Sequence, residues 1–258
     1  MRYNRLSFEI GSFLSAILLL SFSSYLIGKP AEKLNVIIVF TDDQGYQDLG
    51  CFGSPDIRTP RIDRMAMEGM RLTSFYSANP VCSASRAALL TGCYPKRVLA
   101  GKTVLFPRDN VGLNPKETTI ADLFQEDGYA TACVGKWHLG EEKQSLPINQ
   151  GFDEWHVGIL QTTDGVLYPD GMRRSGFSEA AIAKSQTAIW ESEPGKDVLK
   201  KVRPYDLEYR RYIEGDIAQA SAKYIKEQAK EENPFFLYVG WSHVHYPALP
   251  HPDFEGKS

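Results

Sequence analysis

Three apolar runs divide the chain: Leu34 to Thr41, Tyr129 to Val134, and Phe235 to Val239. The first is nearly continuous and β-branched, the pattern of a strand covered on both faces. Between these runs the spacing turns helical. Thr59-Pro60 opens a helix, with Pro60 in the first turn and Ile62, Met65 and Ala66 as its inward stripe, and Gly69 ends it. Arg71 to Tyr76 reads as a further extended segment, and the Ala/Leu run after Cys82 as a short helix. Thr119 opens another helix, with Asp122 placed to complete a capping box and Gly128 as terminator. Tyr209, Ile213, Ile217, Ala220 and Tyr224 predict a long amphipathic helix, broken by Asn233-Pro234. From Gly165 to Arg203 periodicity is poor, which predicts a long surface excursion near the mouth of a site.

Strand–helix–strand alternation implies an α/β sheet with helices on both faces. In such sheets ligands bind beyond the carboxyl ends of the strands. All three apolar runs end there in polar groups. The first is followed by Asp42 and Asp43, adjacent carboxylates whose repulsion favours a neighbouring cation; hard oxygen ligands suit calcium or magnesium. The same pair also reads as a turn or helix cap. The second is followed by Lys136 and His138, two apart and on one side of an extended stretch, fit to face an anion or simply to be solvated. After the third stand His243 and His245, an acid and anion-binding pair or metal ligands. No third histidine or cysteine lies close enough in sequence to make zinc plausible.

Composition adds bounds rather than chemistry. A chain of 258 residues that is 43% hydrophobic and 24% charged is ordinary for a globular core. A net charge of −3 provides no basic surface for nucleic acid. Arg2 and Arg5 precede an apolar run from Phe13 to Leu20 and the small residues Ser21 and Ser23, the pattern of a signal peptide over residues 1–28. The expectation is an exported protein, periplasmic or extracellular, without a stable membrane span if the signal is cleaved and membrane-anchored if it is not. Four cysteines (Cys51, Cys82, Cys93, Cys133) are too few for a disulfide scaffold, and Cys133 reads as a buried free thiol.

Cys82-Ser83-Ala84-Ser85-Arg86 begins the Ala/Leu helix, which places a nucleophile at a helix N-terminus, where developing negative charge is favoured. Taken alone, Cys82 also fits a core cysteine, or a Cys-His hydrolase in which its sulfur attacks directly. The latter leaves the paired aspartates without a role.

These residues, with Asp42 to Tyr46, Asp48 to Cys51, Thr59 to Asp63, Gly135 to Gly140, Gln150 to Asp153 and His245 to Pro247, resemble the ordered sequence blocks of the type I, arylsulfatase-like sulfatases. The resemblance implies an alkaline-phosphatase-like α/β domain with a mixed central sheet, of which residues 29–258 are the N-terminal part, incomplete at the C-terminus. It implies hydrolysis of aryl or carbohydrate sulfate monoesters through a sulfo-enzyme intermediate, with Cys82 oxidised to formylglycine by a maturation enzyme. The hydrate would be the nucleophile and a metal ligand beside Asp42 and Asp43, with calcium favoured over magnesium. Arg86 would hold the hydrate, and Lys136, His138, His245 and Thr162 would bind sulfate oxygens. His243 matches no essential family position and is left as a supporting residue. Ala84 stands where the commoner motif has proline, which leaves the maturation system open. A phosphoester or phosphonate hydrolase of the same superfamily, and an inactive secreted fragment that binds sulfated ligands, are the alternatives.

Overall fold

The computed structural model describes residues 33–106, 109–161, 168–185, 187–193, 195 and 198–257. The expected signal segment, residues 1–28, and Thr162 lie outside them. In chain order the regular elements are β1 (Val36–Phe40), α1 (Pro60–Glu68), α2 (Cys82–Thr91), α3 (Pro95–Val98), α4 (Ile120–Glu126), β2 (Ala130–Lys136) and β3 (Glu154–Ile159). There follow α5 (Pro169–Arg174), α6 (Glu179–Ser185), β4 (Ala188–Ser192), β5 (Leu199–Pro204), α7 (Leu207–Arg210), α8 (Ile213–Gln228) and β6 (Phe235–Gly240).

The six strands form one mixed sheet in the order β1-β6-β2-β3-β4-β5. The first four in that order are parallel; β4 and β5 are antiparallel additions. Side-chain alternation along β6 divides the core between the two faces. Phe236 and Tyr238 join Cys133, Leu90 of α2 and Ala121 of α4 on one side. Phe235, Leu237 and Val239 join Val134 and Ile213, Ile217 and Tyr224 of α8 on the other. The capping box of α4 forms as expected: Thr119 Oγ1 accepts from the Asp122 amide at 3.1 Å, and the Thr119 amide donates to Asp122 at 2.7 Å.

Several expectations are corrected. β1 is not covered on both faces: it is the sheet's edge strand, and Ile37 and Val39 are 43% and 59% exposed. Periodicity cannot distinguish a central from an edge strand, since burial is decided by which elements come to rest on it. α1 forms, yet Ile62 and Met65 are exposed and no residue of the helix is buried. Arg71 to Tyr76 adopts no strand. The stretch from Gly165 to Arg203 is less a surface excursion than part of the sheet, because β4 pairs with β3 and β5 with β4. Tyr209 belongs to the short α7 rather than to the long helix.

Register is what assembles the site. Phe40 pairs with Gly240 and Gly240 with Gly135, so β1, β6 and β2 end level with one another. A Cβ on Gly135 would lie 2.2 Å from the Gly240 carbonyl oxygen; one on Gly240 would lie 2.2 Å from the Lys136 oxygen and 2.9 Å from Arg86 Nη1. Glycine at both positions permits this close approach of backbone to backbone and of Arg86 to both.

Candidate active site

The level strand ends bring the polar segments into one row. Asp42 follows β1, Lys136 ends β2, and the segment Ser242–Pro247 follows β6. The backbones are joined directly: the Asp42 amide donates to the His243 carbonyl at 3.1 Å and the Val244 amide to the Asp42 carbonyl at 2.6 Å. Two turn residues take left-handed backbone, Asp43 with φ 54° and His138 with φ 60°. Strained non-glycine conformations of this kind gather where side chains must be aimed.

Cys82 is the first residue of α2, and Arg86 lies one turn further on. A cleft of about 600 Å³ is lined by Phe40, Asp42, Asp43, Asn79, Cys82 and Ser85. Behind it Arg86 is completely buried. Its Nη1 donates to Tyr238 Oη at 2.9 Å and to the Lys136 carbonyl at 3.1 Å; its Nη2 donates to the Trp241 carbonyl at 3.1 Å and stands 3.7 Å from Asp42 Oδ1. Lys136, also fully buried, pairs with Asp42 Oδ2. Burial opposes a charge on Asp42, but the Lys136 ammonium and the Arg86 guanidinium outweigh it and hold the carboxyl below its ordinary value. For Lys136, burial outweighs the attraction of Asp42, Arg86 adds repulsion, and the ammonium is pulled down.

His138 does not continue the extended strand, because its positive φ turns the chain after Lys136. Its Nε2 faces the Leu105 carbonyl at 2.9 Å, while its Nδ1 is buried and meets no partner among the described residues. Burial, reinforced by the Lys136 charge, holds this imidazole well below its ordinary value. The ring is therefore neutral, Nε2 is the donor to Leu105, and Nδ1 remains a bare acceptor. His245 Nε2 lies 3.8 Å from Asp43 Oδ2. The structure thus brings Asp42, Asp43, Cys82, Arg86, Lys136 and His245 around one strand-end site, with His138 beside Lys136.

Three contributors were not legible in the sequence. Tyr238 faces Arg86 from a strand that reads as purely apolar. Arg210 and Glu214, on α7 and α8, bind the Ser242–Pro247 segment. An amphipathic tyrosine in a buried strand was the available signal for the first; adjacent Arg210 and Arg211 offer none for the second.

Two carboxylates of β1's turn, one of them half-exposed to the cleft, provide hard oxygen donors of the kind a calcium ion takes. They fit part of such a shell. Among the described residues no group of three or more His, Cys, Asp or Glu side chains is arranged to hold a metal ion.

A mixed sheet with helices on both faces and an oxyanion-suited cluster at its strand ends defines an alkaline-phosphatase-like α/β domain. The family model described as Sulfatase matches residues 34–258, and the chain belongs to the sulfatase family. Human N-acetylgalactosamine-6-sulfatase is 41% identical over 240 residues, covering 87% of this chain and 42% of that protein. Human arylsulfatase A is 32% identical over 240 residues, covering 88% and 44%. Among solved structures, the PsFucS1 sulfatase from Pseudoalteromonas sp. superposes with a TM-score of 0.76 at 32% identity, covering 93% of this chain and 50% of that one. The chain spans about half the length of these relatives.

Proposed function

We propose that the protein hydrolyses sulfate monoesters of carbohydrates or aryl alcohols, using Cys82 after its oxidation to formylglycine. The observation that carries this reading is the position of Cys82 at the start of α2, in the same cleft as Asp42 and Asp43, above buried Arg86. The hydrated aldehyde would supply a nucleophile able to release sulfate, and a calcium ion held by Asp42 and Asp43 would supply a Lewis acid.

The remaining work belongs to the chain's own side chains. The N-terminus of α2 and the Arg86 guanidinium favour negative charge arising at position 82. Bare, buried His138 Nδ1 suits acceptance of a hydroxyl proton. Lys136, paired with Asp42, and His245, 3.8 Å from Asp43, suit sulfate oxygens; Thr162 is assigned a sulfate contact by family resemblance alone. Arg2, Arg5 and the apolar run after them support work outside the cytoplasm. Among the described residues no helix is long and apolar enough to cross a membrane.

The test is co-expression with a formylglycine-generating enzyme, followed by mass measurement of the Cys82 peptide and turnover of matched aryl sulfate and phosphate esters. Aldehyde at position 82 with faster sulfate than phosphate cleavage is the expected result. An unmodified thiol would remove the mechanism, and preference for phosphate would favour the phosphoester hydrolase. Modified protein that binds sulfated ligands but turns over neither ester would leave a binding protein.

A further inference from the structure

The segment that presents His245 belongs to no helix or strand, so no regular ladder sets its orientation. Two charged residues on neighbouring helices, α7 and α8, instead converge on it. Arg210 is completely buried. Its Nη2 donates to the carbonyls of His245 at 2.6 Å and Ser242 at 3.0 Å, and its Nε to that of Pro247 at 3.3 Å. Its Nη1 donates to Ser242 Oγ and to Tyr205 Oη, both at 2.7 Å. Glu214 Oε1 accepts from the Ser242 hydroxyl at 2.6 Å, the His243 amide at 2.8 Å and the Ser242 amide at 3.1 Å, and stands 2.7 Å from His243 Nδ1. The Ser242 hydroxyl is the hinge of this arrangement, accepting from the cation and donating to the anion.

We propose that Arg210 and Glu214 are positioning residues that lock Ser242–Pro247 and thereby hold His245 beside Asp43, at the edge of the cleft. The inference rests on the hydrolase reading for its catalytic consequence, not for its geometry. The same segment is also pinned through the Asp42 amide and carbonyl, so the lock sets the spacing between Asp42 and His245. The planar fork of Arg210 spans five acceptors; a lysine has one nitrogen and three donors and cannot reach them together.

The experiment uses the full chain as Arg210→Lys, Glu214→Ala, Glu214→Gln and Ser242→Ala variants. The His245 ring signals are recorded by nitrogen–proton NMR, assigned with His245→Gln, beside thermal stability and the kcat and KM for an aryl sulfate. The expected result is shifted or exchange-broadened His245 signals in every variant, with kcat reduced about 10- to 100-fold, as sub-ångström to ångström misplacement implies. KM should move less than kcat, and Glu214→Gln, which keeps an acceptor oxygen, should lie between wild type and Glu214→Ala. Unchanged His245 signals and kcat alongside lowered stability would overturn the proposal and leave a purely structural pair. Should Arg210→Lys fail to fold, Ser242→Ala, which deletes one hydroxyl, carries the same comparison. A wild-type chain that turns over no sulfate ester would remove the hydrolase reading, while the NMR comparison still decides the lock.

Discussion

Arg86 donates to the main-chain carbonyl of Lys136 at 3.1 Å, fifty positions further along the chain, while the Lys136 side chain turns back to Asp42. One buried guanidinium therefore ties the helix that begins with Cys82 to the end of β2 and to the carboxylate after β1. The link is electrostatic and structural together, because Tyr238 and the Trp241 carbonyl complete the same fork from β6 and the residue after it.

Removing that fork leaves Asp42 and Lys136 as a buried pair with several unpartnered acceptors around them. Arg86→Met is expected to destabilise the fold by about 3–5 kcal/mol. Urea unfolding followed by circular dichroism measures this, and Arg86→Lys should recover only part of the loss.

Gly240→Ala tests whether the level strand ends matter. The new methyl would meet the Lys136 carbonyl at 2.2 Å and Arg86 Nη1 at 2.9 Å, and the first of these is backbone that cannot swing away. A loss of about 1–3 kcal/mol is expected from such overpacking, with activity falling more steeply than stability because Lys136 and Arg86 move.

Away from the site, His156 lies between Glu154 and Glu191, 2.7 Å from each. Burial opposes its protonation, but the two carboxylates outweigh burial and raise it from 6.5 to about 9. The stabilisation is thus complete below pH 6.5 and is lost as pH rises through 9. Compared with His156→Gln, the wild type should lose roughly 1–2 kcal/mol of its advantage between those values, since partial exposure screens the pair. Unfolding free energies at a series of pH values read this directly; parallel curves would contradict it.

Cys133 is fully buried against Trp137, Phe236 and Tyr238, and burial pushes its thiol far up. It should resist alkylation in the folded protein and react fully in denaturant, as peptide mass spectrometry would show. Cys82, at the wall of the cleft, should react in the folded state when it has not been converted to the aldehyde.

Cys82→Ser separates fold from chemistry. The substitution conserves shape at a half-buried helix start and should change stability by about 0.5 kcal/mol or less. On the proposed mechanism it should abolish multiple turnover, because a serine sulfate ester would lack the second hydroxyl of a formylglycine hydrate through which sulfate is expelled. Intact-protein mass after exposure to substrate checks whether a stable sulfate adduct accumulates.

Much of this architecture was legible along the chain. β1, β2 and β6 announce themselves because a continuous apolar run admits few other structures, and α4 because a capping box is a local hydrogen-bond pattern. The site residues that follow those strands are equally visible, since strand ends are where an α/β sheet presents ligands. β3 escaped notice because Glu154 and His156 interrupt its apolar character, and their charges make sense only once Glu191 arrives from β4. β5 escaped because it is the sheet's other edge, largely exposed and rich in Lys and Arg, and β4 because its short run carries Glu191 and Ser192.

Local sequence sufficed to pick out Cys82 at a helix start, the paired aspartates and the three strand-end clusters, because each is carried by neighbours within a few residues. Tertiary structure decided how these clusters meet. The level register at Phe40, Gly240 and Gly135, the reach of Arg86 to Lys136 and Tyr238, and the grip of Arg210 and Glu214 on the His245 segment all join residues distant in sequence. Such contacts depend on backbone approach and burial, which no local pattern encodes.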